Sequence, residues 1–597
     1  MTMSKNGKKV IISGVLVAVA FFIISYLVIP LIAIISLSKK MPKRIAPIKS
    51  ALVNQEMDLL VFELEYLRED VTKLNSNSQR LKMFSFLPFV GGYFTDIDTI
   101  CSLSLDMVDT AIKLFGSLEK AIPNVDFKGW EATKEEEAAR QTSLTEISNF
   151  LSSELPTYKE KVWAMSKKLE SIDASRYPES FKGIPVRDYL IQAQSFSKIS
   201  SESFNDIVAL VGIAPGLLGD AETKHYLVFL QNDKELRPSG GTLESYAVFT
   251  INRGNLSLAK SGDAMVFDSA KLFYDRPPQY INRYLGLNRF LIRDGAYSPD
   301  FKESARAVEK LWISTQGALE VDGVIMLNTS FISSLLDVVG EVEITNGGSL
   351  DKNNAKSKLQ SLFLLSGSRS QNDKDQKNLI GAFLFEVMRK VFLVPVSGRI
   401  ELAKNVGKEL ASGNLLVYLD YQTAEDLLEK YHFSGTVRES EGDYLYISNA
   451  NVGRDKSNLF VKQSVVYETK DAGGAVTATL TVSYKNNGDY DAALNRGYKN
   501  FVQVLVPEGS KIIKSTGFRD FVGNGEGFGK TIFSGYLEVS PKQEAQFSLE
   551  YTLPNSDKNY NLLIQKQPGL NDSSYKVTVN GKTEEFVLEK DKVINNQ

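Results

Sequence analysis

The 597-residue chain holds a single cysteine, Cys101, and only two histidines, His225 and His432. One thiol excludes an internal disulfide and any cysteine-built metal site, and two histidines exclude a histidine-rich metal cluster. Cysteine poverty is compatible with an exported protein without requiring one. Acidic residues are absent from the first 44 positions, which carry seven Lys or Arg. The formal net charge is -3, so the remainder carries -10. Such a body lacks the basic face that phosphate backbones need, and no nucleic acid is expected as a partner. Charge of either sign is missing from Val10 to Leu37.

That uncharged run has the length of a membrane span. At ~1.5 Å per residue a helix over it reaches about 42 Å, more than the ~30 Å hydrocarbon core. A cleavable signal has a shorter apolar region that ends at small residues. Here Pro30 and further apolar residues follow, then Lys39 and Lys40, so residues 10–37 are expected to stay as a single-pass anchor. Lys5, Lys8 and Lys9 precede the run, and Lys39, Lys40, Lys43 and Arg44 follow it. The Lys and Arg count slightly favours the opposite orientation, but the short, wholly basic tail resists translocation. The expected topology puts the N-terminus in the cytoplasm and the body outside it, at the cell membrane.

The body is too long for one core. Residues 1–44 read as basic tail and anchor, 45–215 as a helical bundle or stalk, 220–458 as an α/β core and 459–597 as a β-sandwich. In the helical region Val53, Met57, Leu60, Leu64, Leu67, Val71, Leu74, Ser78 and Leu81 recur at alternating intervals of four and three. This is a heptad seam of the coiled-coil type. A second seam runs from Leu144 to Ile172 through Pro156, and shorter stripes cover Ile97–Ile122 and Val186–Val211. Turns at Leu87-Pro88, Gly91-Gly92 and Tyr177-Pro178 join them into an antiparallel bundle, read as a spacer rather than a partner-binding coil. KEEEAAR (134–140) reads as a solvated helix start or loop.

From Asp220 the pattern alternates strand and helix. HYLVFLQN (225–232), SYAVFTI (245–251), NLSLAKS (255–261), DGVIMLN (322–328), EVEIT (341–345), LLVYLD (415–420) and DYLYISN (443–449) read as strands. Pro299–Gly317 and a segment capped by Thr329 read as helices, with more helices in 351–413. After Leu459 the period becomes two. Val476, Ala478, Leu480, Val482 and Tyr484 alternate with Thr and Ser, as in a sandwich of immunoglobulin-like architecture. GNGEGFGKT (523–531) has Asn524 where a phosphate-binding loop needs its first glycine, so a glycine-rich hairpin is expected.

The stretch LVFLQNDKELRPSGGTLESYAVFTINRGNLSL (227–258), with IRDGAYSPDF (292–301), the DGVIMLN strand and YISNANVGRDKSN (446–458), resembles the bacterial family known as domain of unknown function 4012. The resemblance implies a membrane-anchored, exported protein and no particular activity. The order of hairpin, acidic loop, helix, DGVI strand and Gly-Glu-Val-Glu strand is also similar to the LytR–CpsA–Psr family. That family moves glycopolymers from polyprenyl pyrophosphate carriers to the cell wall. It grips the pyrophosphate with arginines and holds a divalent metal with an aspartate. This similarity implies Arg237 on phosphate, Asp263 on magnesium and Arg293 assisting. The sequence departs from it at Ser239-Gly240-Gly241-Thr242, where an Asp-Thr is expected, and at Ser261-Gly262-Asp263, where the family has Pro-Arg-Asp.

Arginine forks grip phosphate or carboxylate, and carboxylates hold hard cations. The ligand-binding candidates are therefore Arg237, Gly240, Gly241, Asp263, Arg293 and Asp294, with Asp263 and Arg237 as the catalytic candidates and Asp263 as the metal candidate. The bland alternative is structural. Arg237 pairs with an acid, Asp300 caps a helix, and Gly240-Gly241 make a tight turn rather than a seat for a ligand. His225 and His432 lack partners that would make either a catalytic base. The expected function is a non-catalytic, membrane-anchored envelope protein. It binds or scaffolds an envelope component, such as an anionic lipid or glycan or other envelope proteins, without a cofactor. The alternative is a divergent glycopolymer phosphotransferase using magnesium.

Overall fold

Apolar periodicity organises the first part of the chain. The computed structural model describes residues 18, 20–54, 56–121, 145–180, 186–269, 274–315, 317–344, 348–364, 371–394, 396–471, 476–554 and 560–595. KEEEAAR lies outside them. The chain divides into two units, Met1–Gly216 with Pro395–Ser397, and Leu217–Val394 with Gly398–Gln597.

In the first unit one helix, Ala20–Leu52, is long and apolar enough to be a membrane anchor or a signal sequence. It contains a π-turn, Ile24–Val28, just ahead of Pro30. Proline lacks the N–H that would close the preceding turn and its ring crowds that carbonyl, so the helix widens there. Helix Met57–Lys82 packs antiparallel on helix Gly91–Ala121. The pairing is set by Ser78 and Lys82 on Asp98, at 3.2 and 2.8 Å, and by Arg68 on Asp109. Leu60, Leu64, Val71, Leu74 and Leu81 of the seam are buried. Leu74 and Leu81 meet Ile34 and Cys101, while Leu60 and Leu64 meet Ala51. The seam is thus filled from within the chain. Pro156 lies in a short 3-10 turn, Leu155–Tyr158, that leads into helix Lys159–Glu170.

The second unit begins with strands β1 (Lys224–Arg237), β2 (Gly240–Asn252), β3 (Asn255–Asp263) and β4 (Gly323–Leu327). Strands β5 (Val342–Ile344), β6 (Gly348–Leu350) and β7 (Leu415–Leu419) follow. The main sheet has the order β3-β2-β1-β4-β7, with β1 parallel to β4 and the other pairs antiparallel. Strand alternation gives β1 two apolar faces. Leu227 and Phe229 enter a core with Tyr246, Met326, Phe301 and Trp312. Tyr226, Val228 and Leu230 enter another with Phe331, Leu335 and Phe383. Helix Phe301–Ile313 covers the first face, started by the Asp300 carboxylate, which accepts from the Glu303 amide at 3.3 Å. Helix Thr329–Val339 lies on the second. Its cap is Asn328, not the expected Thr329. The Asn328 side chain accepts from the amides of Ser330 and Phe331 at 2.9 and 3.2 Å, and Thr329 is the first helical residue.

The C-terminal part is built of β8 (Asp443–Asn451), β9 (Val461–Asp471), β10 (Val476–Asn486), β11 (Tyr498–Pro507), β12 (Lys511–Thr516) and β13 (Asp520–Gly527). It continues with β14 (Lys530–Val539), β15 (Glu544–Thr552), β16 (Asn561–Gln565), β17 (Ser574–Val579), β18 (Lys582–Val587) and β19 (Lys592–Asn595). These make two six-stranded sheets, ordered β12-β15-β10-β9-β17-β18 and β13-β14-β11-β8-β16-β19. Ile447, Val504 and Phe533 of one meet Tyr467, Leu480 and Phe547 of the other in one core. The glycine-rich hairpin forms as expected, turning at Phe528 and Gly529, both with positive φ.

Strand β8, read from sequence as a late strand of the α/β part, pairs instead with β11 and β16. All of it is buried, because its sheet is covered on both sides. Ala450, Val452 and Phe501 join the α/β core, with Phe501 stacked on Tyr280 at 4.8 Å.

Asp443, at the start of β8, is buried and accepts from the hydroxyls of Tyr467 and Tyr560 and from the Tyr444 amide. Burial pushes its carboxyl up to about 6, against the pull of those donors. A carboxyl whose folded pKa lies above its unfolded value binds more protons when folded. Its stabilising contribution is full below about pH 4 and is lost as pH rises to about 6. The loss is roughly 3 kcal/mol at ~1.4 kcal/mol per unit. Asp443→Asn should remove the part of the pH 4–6 decline in stability that this group causes, measured by denaturant unfolding at several pH values. An unchanged slope would assign the decline to other carboxyls.

Candidate functional site

The end of β1 carries a guanidinium with no access to water. Arg237 is 1 % exposed. Its Nε and Nη2 donate to Asp294 at 3.2 and 2.7 Å, and Nη2 also donates to Glu235 at 3.1 Å. Its Nη1 donates to the carbonyls of Leu236 and Asn451 at 3.2 and 2.6 Å. A guanidinium has five N–H groups, and this set uses all of them. Burial opposes the charge, but Asp294 and Glu235 outweigh it and raise the pKa. Asp294 closes a 3-10 turn, Ile292–Asp294, that Asp268 holds by accepting from the amides of Ile292 and Arg293 at 2.7 and 3.3 Å. Arg293 is 23 % exposed and lies 3.7 Å from Glu235.

These groups line a cavity of about 220 Å³ with Arg454, Met265, Leu287 and Leu291. Its three arginines face Glu235, Asp268 and Asp294, so the charges balance. The structure brings Arg237, Arg293 and Asp294 together and leaves Asp263, Gly240 and Gly241 out of this cavity. Asp263 ends β3 and accepts from the Met265 amide at 2.7 Å, at the start of helix Ala264–Ser269. A Cβ on Gly240, at φ 111°, would lie 2.4 Å from the Gln231 side chain, and one on Gly241 would lie 2.3 Å from the Asn232 backbone. The two glycines therefore serve the close approach of β2 to β1, where the pairing is irregular between Asn232 and Leu236. Among the described residues no group of three or more His, Cys, Asp or Glu is placed to hold a metal ion. His225 Nδ1 lies 2.9 Å from the Thr250 hydroxyl.

Two larger cavities escaped the sequence reading. One, of about 360 Å³, lies between the second face of the main sheet and helices Thr329–Val339 and Gln371–Phe392. Tyr226, Val228, Phe249, Ile325, Leu335 and Val387 are among its walls, and every residue lining it is apolar or aromatic. The Tyr226 hydroxyl is satisfied by the Leu217 carbonyl at 2.8 Å. The other cavity, of about 500 Å³, is polar and gathers Asp300, His432, Arg438, Lys566 and Asp591. The buried Lys566 ammonium donates to the carbonyls of Ser412 and Gln567 at 2.8 and 3.1 Å. Burial pushes it down to about 8, partly offset by Asp591, Asp233 and Glu409. Asp591 accepts from Arg438 at 3.1 Å and from the Lys566 amide at 2.9 Å, and burial raises its carboxyl. Burial, helped by Arg438, lowers His432. No local motif signals this group, because its members come from four separate stretches of chain.

Residues 221–362 match the family model described as Protein of unknown function (DUF4012). This segment belongs to the DUF4012 family. The DUF4012 segment supplies the charged cluster apart from Arg454, and part of the apolar wall, but only Asp300 and Lys302 of the polar cavity. The weaker resemblance to the LytR–CpsA–Psr family finds no support in the family match. No curated protein matches the chain. Among solved structures, the Lin1025 protein of Listeria innocua is 16% identical, with 38% of this chain and 84% of that chain covered and a TM-score of 0.21. A Legionella pneumophila protein provisionally named a nutrient binding protein is 9% identical, with 23% and 54% covered and a TM-score of 0.15. The chain thus spans about half the length of the second. Scores this low establish no shared overall fold.

Removing one member of a buried ion pair leaves an uncompensated charge and costs about 3–5 kcal/mol. Arg237→Ala should therefore lower the melting temperature of the full chain sharply. Arg293→Ala, at a longer and partly exposed contact, should lower it much less. Equal, small shifts would contradict the structural role of Arg237.

Proposed function

We propose that this is a single-pass protein of the bacterial cell envelope whose α/β core holds the hydrocarbon tail of an envelope lipid. The observation that carries the reading is the 360 Å³ cavity with wholly apolar walls. Small-molecule pockets are usually ~300–1,000 Å³. Walls without free hydrogen-bonding side chains favour a hydrocarbon over a sugar or a phosphate, which would lose water without replacement partners. An N-terminal helix able to span a bilayer supports keeping such a core beside its lipid source. The short basic tail supports a cytoplasmic N-terminus and an extracytoplasmic body. In this reading the helical unit is a spacer with coiled-coil-type packing. The paired C-terminal sheets are an immunoglobulin-like module that scaffolds neighbouring envelope proteins.

The transferase alternative, with magnesium on Asp263, has less support. Arg237 has no N–H left for phosphate, and Asp263 does not share its cavity. The apolar cavity is walled by the second face of the sheet, while Leu287, beside the charged cluster, packs against the core on the first face. One lipid therefore does not place its tail and its phosphate on these two groups together.

The test is native mass spectrometry of the purified full chain after incubation with a bacterial lipid extract. A lipid adduct is expected on the wild type and on Arg293→Ala, and its loss is expected on Leu335→Trp, which fills the cavity. Melting of each variant verifies folding. A wild-type mass without adduct overturns the reading. An adduct lost on Arg293→Ala but kept on Leu335→Trp moves the ligand to the charged cluster.

A further inference from the structure

Helices Met57–Lys82 and Gly91–Ala121 are joined by Met-Phe-Ser-Phe-Leu-Pro-Phe-Val at 83–90. No charge occurs from Met83 to Thr95. The joint buries Phe84 but leaves most of its large side chains exposed. Phe86 is 77 % exposed and Phe89 is 97 % exposed, and Met83 and Val90 are exposed beside them. A cluster of this kind at one turn marks an interaction site rather than ordinary scatter of apolar surface. The turn is tightly determined. Phe89 has a φ of 67°, a region that bulky residues rarely adopt. A Cβ on Gly91 would lie 1.9 Å from the Ser85 carbonyl oxygen.

The helix beside this joint indicates what covers it. Leu60 and Leu64 pack on Ala51, Leu74 and Leu81 share a core with Ile34, and the Phe84 ring lies 6.0 Å from that of Phe22. The hairpin therefore runs back along the N-terminal helix, and its tip reaches the level of Phe22. Phe21, Phe22, Ile23, Ile24 and Ile29 are exposed; beyond them Pro30 and Ile34 are buried against the bundle, while Leu31, Ile32 and Ile35 stay exposed. A hydrocarbon core takes about 20 helical residues, and the uncharged sequence that starts at Val10 has supplied that number by Ile29. Phe22 then lies roughly 10 Å inside the boundary, at ~1.5 Å per residue. The surplus of the uncharged run, Pro30–Leu37, lies against the bundle along one side, through Pro30 and Ile34.

We propose that the tip Met83–Val90 is inserted in the bilayer beside the spanning helix, with Phe86 and Phe89 among the acyl chains of the extracytoplasmic leaflet. This rests on the anchor reading given above. The depth is that of interfacial segments, about 5–10 Å. Arg80 and Lys82, which directly precede the tip, stand at headgroup level, where long cationic side chains extend toward water. Lys82 is also held by Asp98 at 2.8 Å. Two attachments, the spanning helix and the tip, then fix the tilt of the bundle on the membrane, which a single helix leaves free.

Spin labels on the full chain in phosphatidylcholine vesicles test this. Cys101→Ala supplies the background, and Phe89→Cys, Phe22→Cys and Tyr490→Cys supply single sites, each accepted only if its melting matches the unlabelled chain. Position 89 should resemble position 22, with oxygen access and several-fold protection from a water-soluble nickel chelate relative to position 490. A water-like signal at 89 with a lipid-like signal at 22 overturns the tip proposal and leaves the anchor standing. Water-like signals at both overturn the anchor and the tip with it. The same labels in nanodiscs holding one chain each separate lipid from a second copy. Protection at 89 that persists there supports insertion, and protection lost there assigns the tip to contact between chains and overturns the proposal.

Discussion

The buried charge of Arg237 is the interaction on which the second unit depends. An isolated guanidinium in an apolar interior is prohibitively costly, so each N–H needs an acceptor and the charge needs a partner. Arg237 finds them on β1 itself, on the Ile292–Asp294 turn and on β8. Its own carbonyl accepts from Gln567 at 3.0 Å, and Gln567 donates onward to the Asn449 carbonyl at 2.7 Å. One residue thereby joins the α/β sheet to the C-terminal sheets. A group so completely satisfied holds the two parts in register, and it is poorly suited to capture a passing ligand.

The alternation of β1 separates the two kinds of chemistry. Side chains of one parity build the core shared with Trp312, and those of the other parity build the wall of the apolar cavity. Between Tyr226 and Leu230 neither face is polar, so this stretch of β1 reads as a continuous apolar run, as expected for a strand covered on both sides. The polar cavity around Lys566 arises elsewhere, where the loop after Lys430 meets the last strands. Its buried cation, near Asp591 yet bonded to carbonyls, is a second place where charge joins distant parts of the chain.

Local structure was largely legible in the sequence. The apolar runs at 225–232 and 322–328, the helix after Asp300 and the period-two strands after Leu459 all follow from repeat and cap chemistry. The errors have physical causes. Asn328 and Thr329 are both good caps, and the extended backbone of Asn328 (φ -108°) beyond β4 decides between them. DYLYISN is a strand, but its sheet is chosen by β11, about fifty positions later, which no local pattern reports. Arg237, Arg293 and Asp294 were legible as a set of charges. That they neutralise one another, and that Asp263 stands apart, depends on tertiary pairing. A cavity is harder still, since it reflects where facing helices fail to meet.

The shared core also has a consequence in time. Phe501 closes over Tyr280, and Gln567 bonds to Arg237 from 330 positions away. A growing chain that has reached the end of β7 still lacks these partners, and the guanidinium it must bury has only part of its acceptors. Long-range closure is slow, and incomplete cores expose adhesive surface while they wait. The second unit therefore completes its folding only after nearly the whole chain has been made, and the α/β part spends that interval as an open half.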